Sequence, residues 1–479
     1  MSIEILDLSD EYADYLHDES RREGCADRIV FPTSTEDVAE AMQMAGENGW
    51  PVTVQGGRTG ITGGSVPDGG LILNLSRMKR IGAVSNARMS VEAGAVLSDI
   101  RKVLEGSGLF FPPDLTETSA TIGGMVANNA SGARSFRYGS VRPWIHGLKA
   151  VLSSGEVVEL ERGVHKADGM FFRIGSLEGE LPELPIPGVK AAAGYFVKPE
   201  MDLVDLFIGA EGTLGVVTEI SIRLLPEPEQ MIGLCAFFAA EKEGLEFVRF
   251  LRDSSNPVAI EFFDFHALDL LRRMKAEVAA FADLPELQPD FHTAVYFEYE
   301  NKVPESVQER AEDAVECWMA DDECDIEALK QFRHAVPEAV NLLIGVRKRT
   351  IPRLTKLGTD MSVPDARLED VMHMYHEELN EAGLEYVIFG HIGSNHLHVN
   401  ILPHCMEEYE KGRAIYLDWA KQVVAMGGCV SAEHGIGKLK RDFLRLMFGD
   451  KGIRQMQQLK QLFDPSGLLN RGNLFSGSC

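Results

Sequence analysis

Five glycines fall within ten residues at 55–64, QGGRTGITGG. Glycine enters left-handed conformations without steric cost, so a stretch this dense lets successive backbone N–H groups turn to one side and cradle an anion. A β-type run, Val52-Thr53-Val54, feeds the loop, hydroxyls are interleaved, and Arg58 or Thr59 can add donors. A plain flexible loop is the competing reading; the preceding strand and the donors favour a phosphate-bearing ligand. Two more glycine-rich loops follow at 121–139 and 207–217. No G-x-G-x-x-G occurs, which removes the main support for a nicotinamide-binding Rossmann unit, and no glycine precedes a Lys-Ser or Lys-Thr pair as in a P-loop. The expected cofactor therefore bears phosphate and sits on a different fold.

Around these loops strand and helix signals alternate. Thr33 and Glu36 have capping-box spacing, Val38, Ala41, Met42 and Ala45 recur on one face, and Gly49 with Pro51 stops the run, which predicts a helix over 33–49. Strands are predicted at 71–75, 89–96 and 216–222, with a helix from Ser98 to about Glu105. The prolines at 226 and 228 break any continuing element. Beyond them glycine thins, 294–298 reads as a strand, 305–333 reads as one acidic helix, and glycine returns at 427–437 before a helix near 439–463. The chain is thus predicted to be α+β in three regions, 1–225, 226–425 and 426–479, in keeping with about 150 residues per domain.

Charge narrows the partners. Against 47 Lys and Arg stand 73 Asp and Glu, a net charge of −26, which opposes binding to nucleic acid or an anionic membrane surface. An anionic substrate remains compatible if cations gather in one cleft. No secretory signal or membrane-spanning apolar run is read. The seven cysteines are scattered, with no Cys-x-x-Cys, so neither a ferredoxin-type cluster nor a four-cysteine zinc ribbon is expected. A reduced, cytoplasmic setting follows, and electrons would leave through another molecule.

A second informative stretch is Gly390 to Asn400, GHIGSNHLHVN. His396 and His398 alternate with Leu397 and Val399 in a predicted strand, so both imidazoles face one side. They can bind a divalent metal if a further ligand arrives from elsewhere, for which Glu433 and His434 in a glycine loop are candidates. From spacing alone, a pair of hydrogen-bonded strand residues is the simpler reading. His373 and His376, at helical spacing, are left as ordinary hydrogen-bonded polar residues.

The block QGGRTGITGGSVPDGGLILNLSRM resembles the pyrophosphate-binding loop of FAD-linked oxidases of the vanillyl-alcohol-oxidase / p-cresol-methylhydroxylase type. PPDLTETSATIGGMVANNASGARSFRYGSVRPWI and LFIGAEGTLGVVTEI resemble the second and third flavin-contacting stretches of that family, in the same order. With the histidine block and the ending FDPSGLLNRGN, the resemblance covers nearly the whole chain and is strongest to the D-2-hydroxyacid dehydrogenase branch: D-lactate dehydrogenases, the glycolate oxidase flavin subunit and D-2-hydroxyglutarate dehydrogenase. It implies a two-part FAD domain, an α+β cap and a C-terminal segment returning to the flavin.

The resemblance also implies roles. FAD would contact Gln55, Gly56, Gly57, Arg58, Thr59, Gly60, Gly63, Gly64, Ser65, Pro113, Asp114, Ser119, Gly123, Gly124, Asn128, Ala130, Gly132, Glu211, Gly212, Val217 and Asn470. With no His or Cys in the first loop, it would be bound non-covalently. His391, His398 and Glu433 would ligate a metal, usually taken as zinc, and His434 would be the catalytic base. Asn400 would lie near the substrate, and Arg333 would fork onto its carboxylate. Where the family has Asp-Gly-Asn this chain has Ser394-Asn395-His396, so His396 stands as a further ligand, a supporting group or a substituted strand residue. Pro337 replaces a family threonine, and a downstream lysine is best matched by Lys356, which leans toward a small acid such as D-lactate or glycolate. Electrons would pass to an iron–sulfur partner subunit, an electron-transfer flavoprotein or a quinone-linked protein. Rivals are an alkyl-dihydroxyacetone-phosphate-synthase-like flavin transferase, a flavin-free metallohydrolase and a flavin electron-transfer subunit without its own substrate. The acid's identity and the oligomeric state are not readable from the sequence.

Overall fold

Leu71–Asn74 is an almost continuous apolar run and is buried throughout, and its neighbour Val52–Gln55 is buried at three of four positions, as in strands covered on both faces. In the computed structural model they pair in parallel, with Arg28–Val30 on the other side of Leu71–Asn74 and Leu6–Asp7 closing the edge antiparallel. The structure describes residues 3–476, side chains 323 and 324 excepted. Helix Thr35–Asn48 crosses between two of these strands and buries Val38, Ala41, Met42 and Ala45, the predicted face. Its cap lies one residue later than expected: Ser34 Oγ accepts from Asp37 N, while the Asp37 carboxylate accepts from Thr33 N and Oγ. Asp37 rather than Glu36 closes the box.

A second sheet is antiparallel, in the order Arg88–Glu92, Val216–Arg223, Ile145–Val151, Val157–Glu161. The glycine-rich stretch 121–139, expected as loop, contains helix Ile122–Asn128, capped by Thr121 and ended by left-handed Asn129. Gly123 explains the misreading. A Cβ there would stand 2.8 Å from Ala93, so this glycine lets helix and strand approach rather than supplying flexibility.

The largest sheet is antiparallel and orders Glu316–Ala320, Met231–Phe238, Thr293–Glu300, Ala259–Phe263, Tyr386–Gly390, His396–Ile401 and Leu357–Gly358, with Met361–Ser362 also pairing His396–Ile401. Residues 305–333 are not one helix. Helix Glu305–Ala311 gives way to the edge strand Glu316–Ala320, and a long helix runs from Glu323 to Lys348. The strand wins because Trp318 packs edge-on against Phe237 at 4.4 Å, a tertiary contact that local acidity does not announce.

One hydrophobic core gathers residues from Val30 to Leu224 and takes in Ile436, Leu444, Phe463 and Leu469 from the far end of the chain. Two more cores cover the faces of the large sheet. Helix Arg441–Phe463 kinks at Gly449, where φ is 64°. The tail after it bonds back to the first sheet: Val52 N donates to Leu468 O and Asn470 N to Val52 O, both at 2.8 Å. Among the described residues no helix is long and apolar enough to cross a membrane. Cys25, Cys235, Cys317, Cys405 and Cys429 are free thiols; Cys479 and the Cys324 side chain lie outside the described residues.

Candidate functional site

All three glycine-rich stretches open onto one cavity of about 1260 Å³, whose opposite wall is the large sheet and helix Glu323–Lys348. Pockets for drug-sized ligands run to roughly 1,000 Å³, so the space suits a dinucleotide with a small substrate. Of the predicted flavin contacts, Gly56, Gly57, Arg58, Thr59, Gly60, Gly64, Ser65, Gly123, Gly124, Asn128, Ala130, Gly132, Glu211, Gly212, Val217 and Asn470 line it. No heavy atom lies within 4 Å of where a Gly60 Cβ would stand, and left-handed backbone recurs at the non-glycine residues Arg58, Glu211 and Asn470. Such conformations cost on the order of 1–3 kcal/mol each and gather at ligand clamps. Bare, turned backbone of this kind fits a diphosphate.

Five predicted contacts lie off the cavity wall. Gln55 is buried beneath the loop, its amide donating to the Tyr15 and Ser65 carbonyls. Gly63 faces Ser20 and Arg22. The Pro113 carbonyl accepts from Arg101, and Asp114 pairs with Arg101 at 2.8 Å and with Arg134 at 3.5 Å. Ser119 is exposed and bonded to Glu117. Two lining residues also work differently from expectation. The Arg58 guanidinium donates to the Asp14 carbonyl and lies over Tyr15 at 4.5 Å. Asn470 clips two loops, accepting from Val54 N at 2.8 Å and donating to Glu211 O at 2.7 Å.

Across the cavity His391, at the end of Tyr386–Gly390, meets His396 and His398 of the neighbouring strand and Glu433 of the 427–437 loop. One ligand atom from each lies within 4.8 Å of the others. Three ring nitrogens point at the Glu433 carboxylate: His391 Nε2 at 3.4 Å, His396 Nδ1 at 3.8 Å and His398 Nε2 at 3.9 Å. The opposite nitrogens face oxygens, His391 Nδ1 at 2.6 Å from Glu261 and His398 Nδ1 at 3.2 Å from the Thr359 carbonyl. His396 Nε2 is 3.0 Å from Asp360 Oδ1 but misaligned, and neither of its buried nitrogens has a hydrogen-bond partner. Ring nitrogens held from outside, lone pairs inward, with one orphaned, form a donor set that could hold a divalent ion. His396, left open by the sequence, belongs to it.

For two of the three rings the electrostatics agree; His391 would have to give up a proton to ligate. Burial lowers His396 to about 4, and burial with the neighbouring His396 pushes His398 well below its usual range, so both are neutral lone-pair donors. Burial also opposes charge on His391, but Glu261 and Glu433 outweigh it and raise the ring to about 9. Glu433 is ionised despite burial, because Lys190 and His391 hold it well below the ordinary carboxylate range.

His434 Nδ1 lies 3.1 Å from Asp360 Oδ2, and the ring is 5.9 Å from that of His398. Arg333 lines the same cavity, its Nη2 2.7 Å from His334 Nε2 and its buried Nε without a partner. Asn400 lines the wall beside it, as do Lys348 and Lys356, so cations beyond Arg333 are present for a second acidic group. Sequence reasoning missed Asp360, Glu261, Lys190 and Ser131. Glu261 alone gave a usable signal: a carboxylate inside the apolar run Ala259–Phe263 must be satisfied by something.

Comparison with known proteins gives the same frame. Residues 227–474 match the family model for FAD linked oxidases, C-terminal domain, and 26–161 match the FAD binding domain. The chain is 30% identical over 474 residues to a D-lactate dehydrogenase of Anaerostipes hadrus, covering 96% of this chain and 92% of that one. It is 28% identical to the glycolate oxidase subunit GlcD of Bacillus subtilis, over 94% and 89%. Against D-2-hydroxyglutarate dehydrogenase of Stutzerimonas stutzeri the identity is 29%, over 94% and 90%. A solved alkyldihydroxyacetonephosphate synthase superposes with a TM-score of 0.65 at 16% identity, covering 97% of this chain and 81% of that one, and so shares the fold. A cavity floored by bare glycine backbone, within a chain whose residues 26–161 and 227–474 match these two family models, leaves one conclusion: this protein is a member of the FAD linked oxidase family.

Proposed function

We propose that the protein is a FAD-dependent dehydrogenase that converts a D-2-hydroxyacid to the 2-oxoacid and hands the electrons to an external acceptor. The observation that carries this reading is the convergence of His391, His396, His398 and Glu433 beside the His434–Asp360 pair, on the wall facing the glycine loops. When bound, FAD supplies the two-electron acceptor, and a divalent ion, zinc in our reading, supplies the Lewis acidity that makes an alcohol acidic near neutral pH.

The remaining work falls to the chain. Arg333, the guanidinium on the cavity wall, grips the substrate carboxylate. Asp360 accepts from His434 Nδ1, which leaves Nε2 to take the hydroxyl proton. Asn400 offers an amide to the same oxygen-rich substrate. The glycine loops would hold the non-covalent cofactor, so that the proton on the hydroxyl oxygen and the hydride on the adjacent carbon are presented in a fixed geometry. We read the setting as cytoplasmic, with an iron–sulfur subunit, an electron-transfer flavoprotein or a quinone-linked protein as acceptor.

The test is anaerobic titration with D- and L-lactate, glycolate and D-2-hydroxyglutarate, monitored at the visible band of oxidised flavin. Bleaching by a D-acid or glycolate is expected. A colourless protein, or a yellow one that no acid reduces, overturns the reading. The dicarboxylate is included because Lys348 and Lys356 line the wall.

A further inference from the structure

The Glu433 carboxylate already has a cation. Lys190 Nζ donates to Glu433 Oε1 and lies 2.8 Å from Ser135 Oγ, while Ser131 Oγ donates to the same Oε1 at 2.9 Å. Both charged side chains are about nine-tenths buried. The lysine carbonyl accepts from Ser362 Oγ at 2.6 Å, and two residues on Ala192 N donates to Ser431 O at 2.9 Å, which fixes the segment. Lys190 therefore approaches the histidine–glutamate cluster from a fixed base, and it is absent from the cavity wall where substrate would enter.

A buried carboxylate without a cation is costly, and an ion pair relieves that cost only while both partners stay together. We propose that Lys190 is a resident placeholder cation: it neutralises Glu433 when no metal is bound and opposes an incoming divalent ion for that carboxylate, thereby setting the affinity of the metal site. The inference rests on the metal reading given above. Two positive centres sharing one carboxylate at low local dielectric repel each other, so the lysine favours the metal-free state over the loaded one. Its second holder, Ser135, lets the ammonium withdraw without becoming unpartnered. The pairing also lets the site fold before metal arrives.

The experiment uses the flavin-loaded full chain, stripped with a chelator and titrated with Zn²⁺ against a chromogenic competitor. Lys190→Met and Lys190→Gln are each expected to bind zinc about tenfold or more tightly than wild type, whereas Lys190→Arg, which keeps the charge, stays near wild type. Metal-free Lys190→Gln should melt at a lower temperature than wild type, and zinc should raise its Tm by more. If Lys190→Met fails to retain FAD, Lys190→Gln against Lys190→Arg decides the matter alone. Unchanged or weaker binding in Lys190→Gln overturns the placeholder role. A wild type that takes up no zinc overturns the metal reading itself, a distinguishable result.

Discussion

Asp360 Oδ2 stands 3.1 Å from His434 Nδ1 while the same carboxylate accepts from the backbone N–H groups of Ala432, Glu433 and His434, from Ser431 Oγ and from Lys440 Nζ. One buried side chain thus shapes the whole 431–434 loop and fixes the base within it. Burial alone would keep this carboxyl protonated, but Lys440 and His434 outweigh burial and hold it well below the ordinary range. Asp360→Asn should keep FAD yet lower kcat by about 10²-fold or more, because the amide misorients the imidazole. Steady-state turnover beside the flavin spectrum checks this; unchanged kcat would remove Asp360 from the base's support.

His396 has no exposed surface and an unpartnered ring facing Glu433. Its replacement by Ala should lower metal content as severely as His391→Ala or His398→Ala does, read by elemental analysis of the purified variants. A full metal complement in His396→Ala would make it a neighbour of the site and not a ligand.

Arg333→Met should raise KM for the acid by roughly 10- to 100-fold, the worth of a charge-assisted carboxylate contact of about 1.5–3 kcal/mol, with a smaller change in kcat. An unaltered KM would return Arg333 to the buried network of Glu261, Glu298 and Asp114 that surrounds it.

Asn470→Ala removes the bonds to Val54 N and Glu211 O. Each is worth about 1 kcal/mol, so lower Tm and faster FAD loss on dilution are expected, followed by the fluorescence of released flavin. Retention equal to wild type would show that the loops hold together without the clip.

Asp264 sets a pH dependence away from the cofactor. Burial pushes its carboxyl up to about 7, and its Oδ2 has no partner while Oδ1 accepts from Ala267 N and Ile388 N. Between the unfolded value of 3.8 and about 7 the folded chain holds a proton that the unfolded chain has lost. The contribution is therefore full below about pH 4 and falls as pH rises toward 7, by a few kcal/mol at most. Asp264→Asn keeps the Oδ1 acceptor and should flatten that decline in denaturant titrations at pH 5 and 7.5; an equal decline in both proteins would refute the assignment.

The first glycine loop, the strands near 71–75, 216–222 and 294–298 and the histidine block were legible because each depends on local chemistry: turn-forming glycine, alternation along a strand, imidazoles two apart. Asp360 and Lys190 were not, since each is a lone charge in an unremarkable stretch whose partner in the 431–434 loop lies over seventy residues away. Gly132 shows the same limit from the other side. It lines the cavity, yet a Cβ there would fall 1.9 Å from the Asp114 carbonyl, so its glycine also answers a packing demand that the sequence does not announce. Ser119 and Asp114 lie off the cavity wall, bonded to Glu117 and Arg101, and a motif match gives no sign of such partners.

The tail that bonds to Val52 and clips Val54 to Glu211 comes from residues 468–470, whereas the loops it joins are made first. During synthesis the nucleotide cradle must wait, half-assembled, for more than two hundred further residues to emerge before its last strut arrives. Capture of the yellow cofactor is thereby tied to the final stage of biogenesis, and a chain cut short just before Leu468 would emerge colourless even with every glycine loop intact.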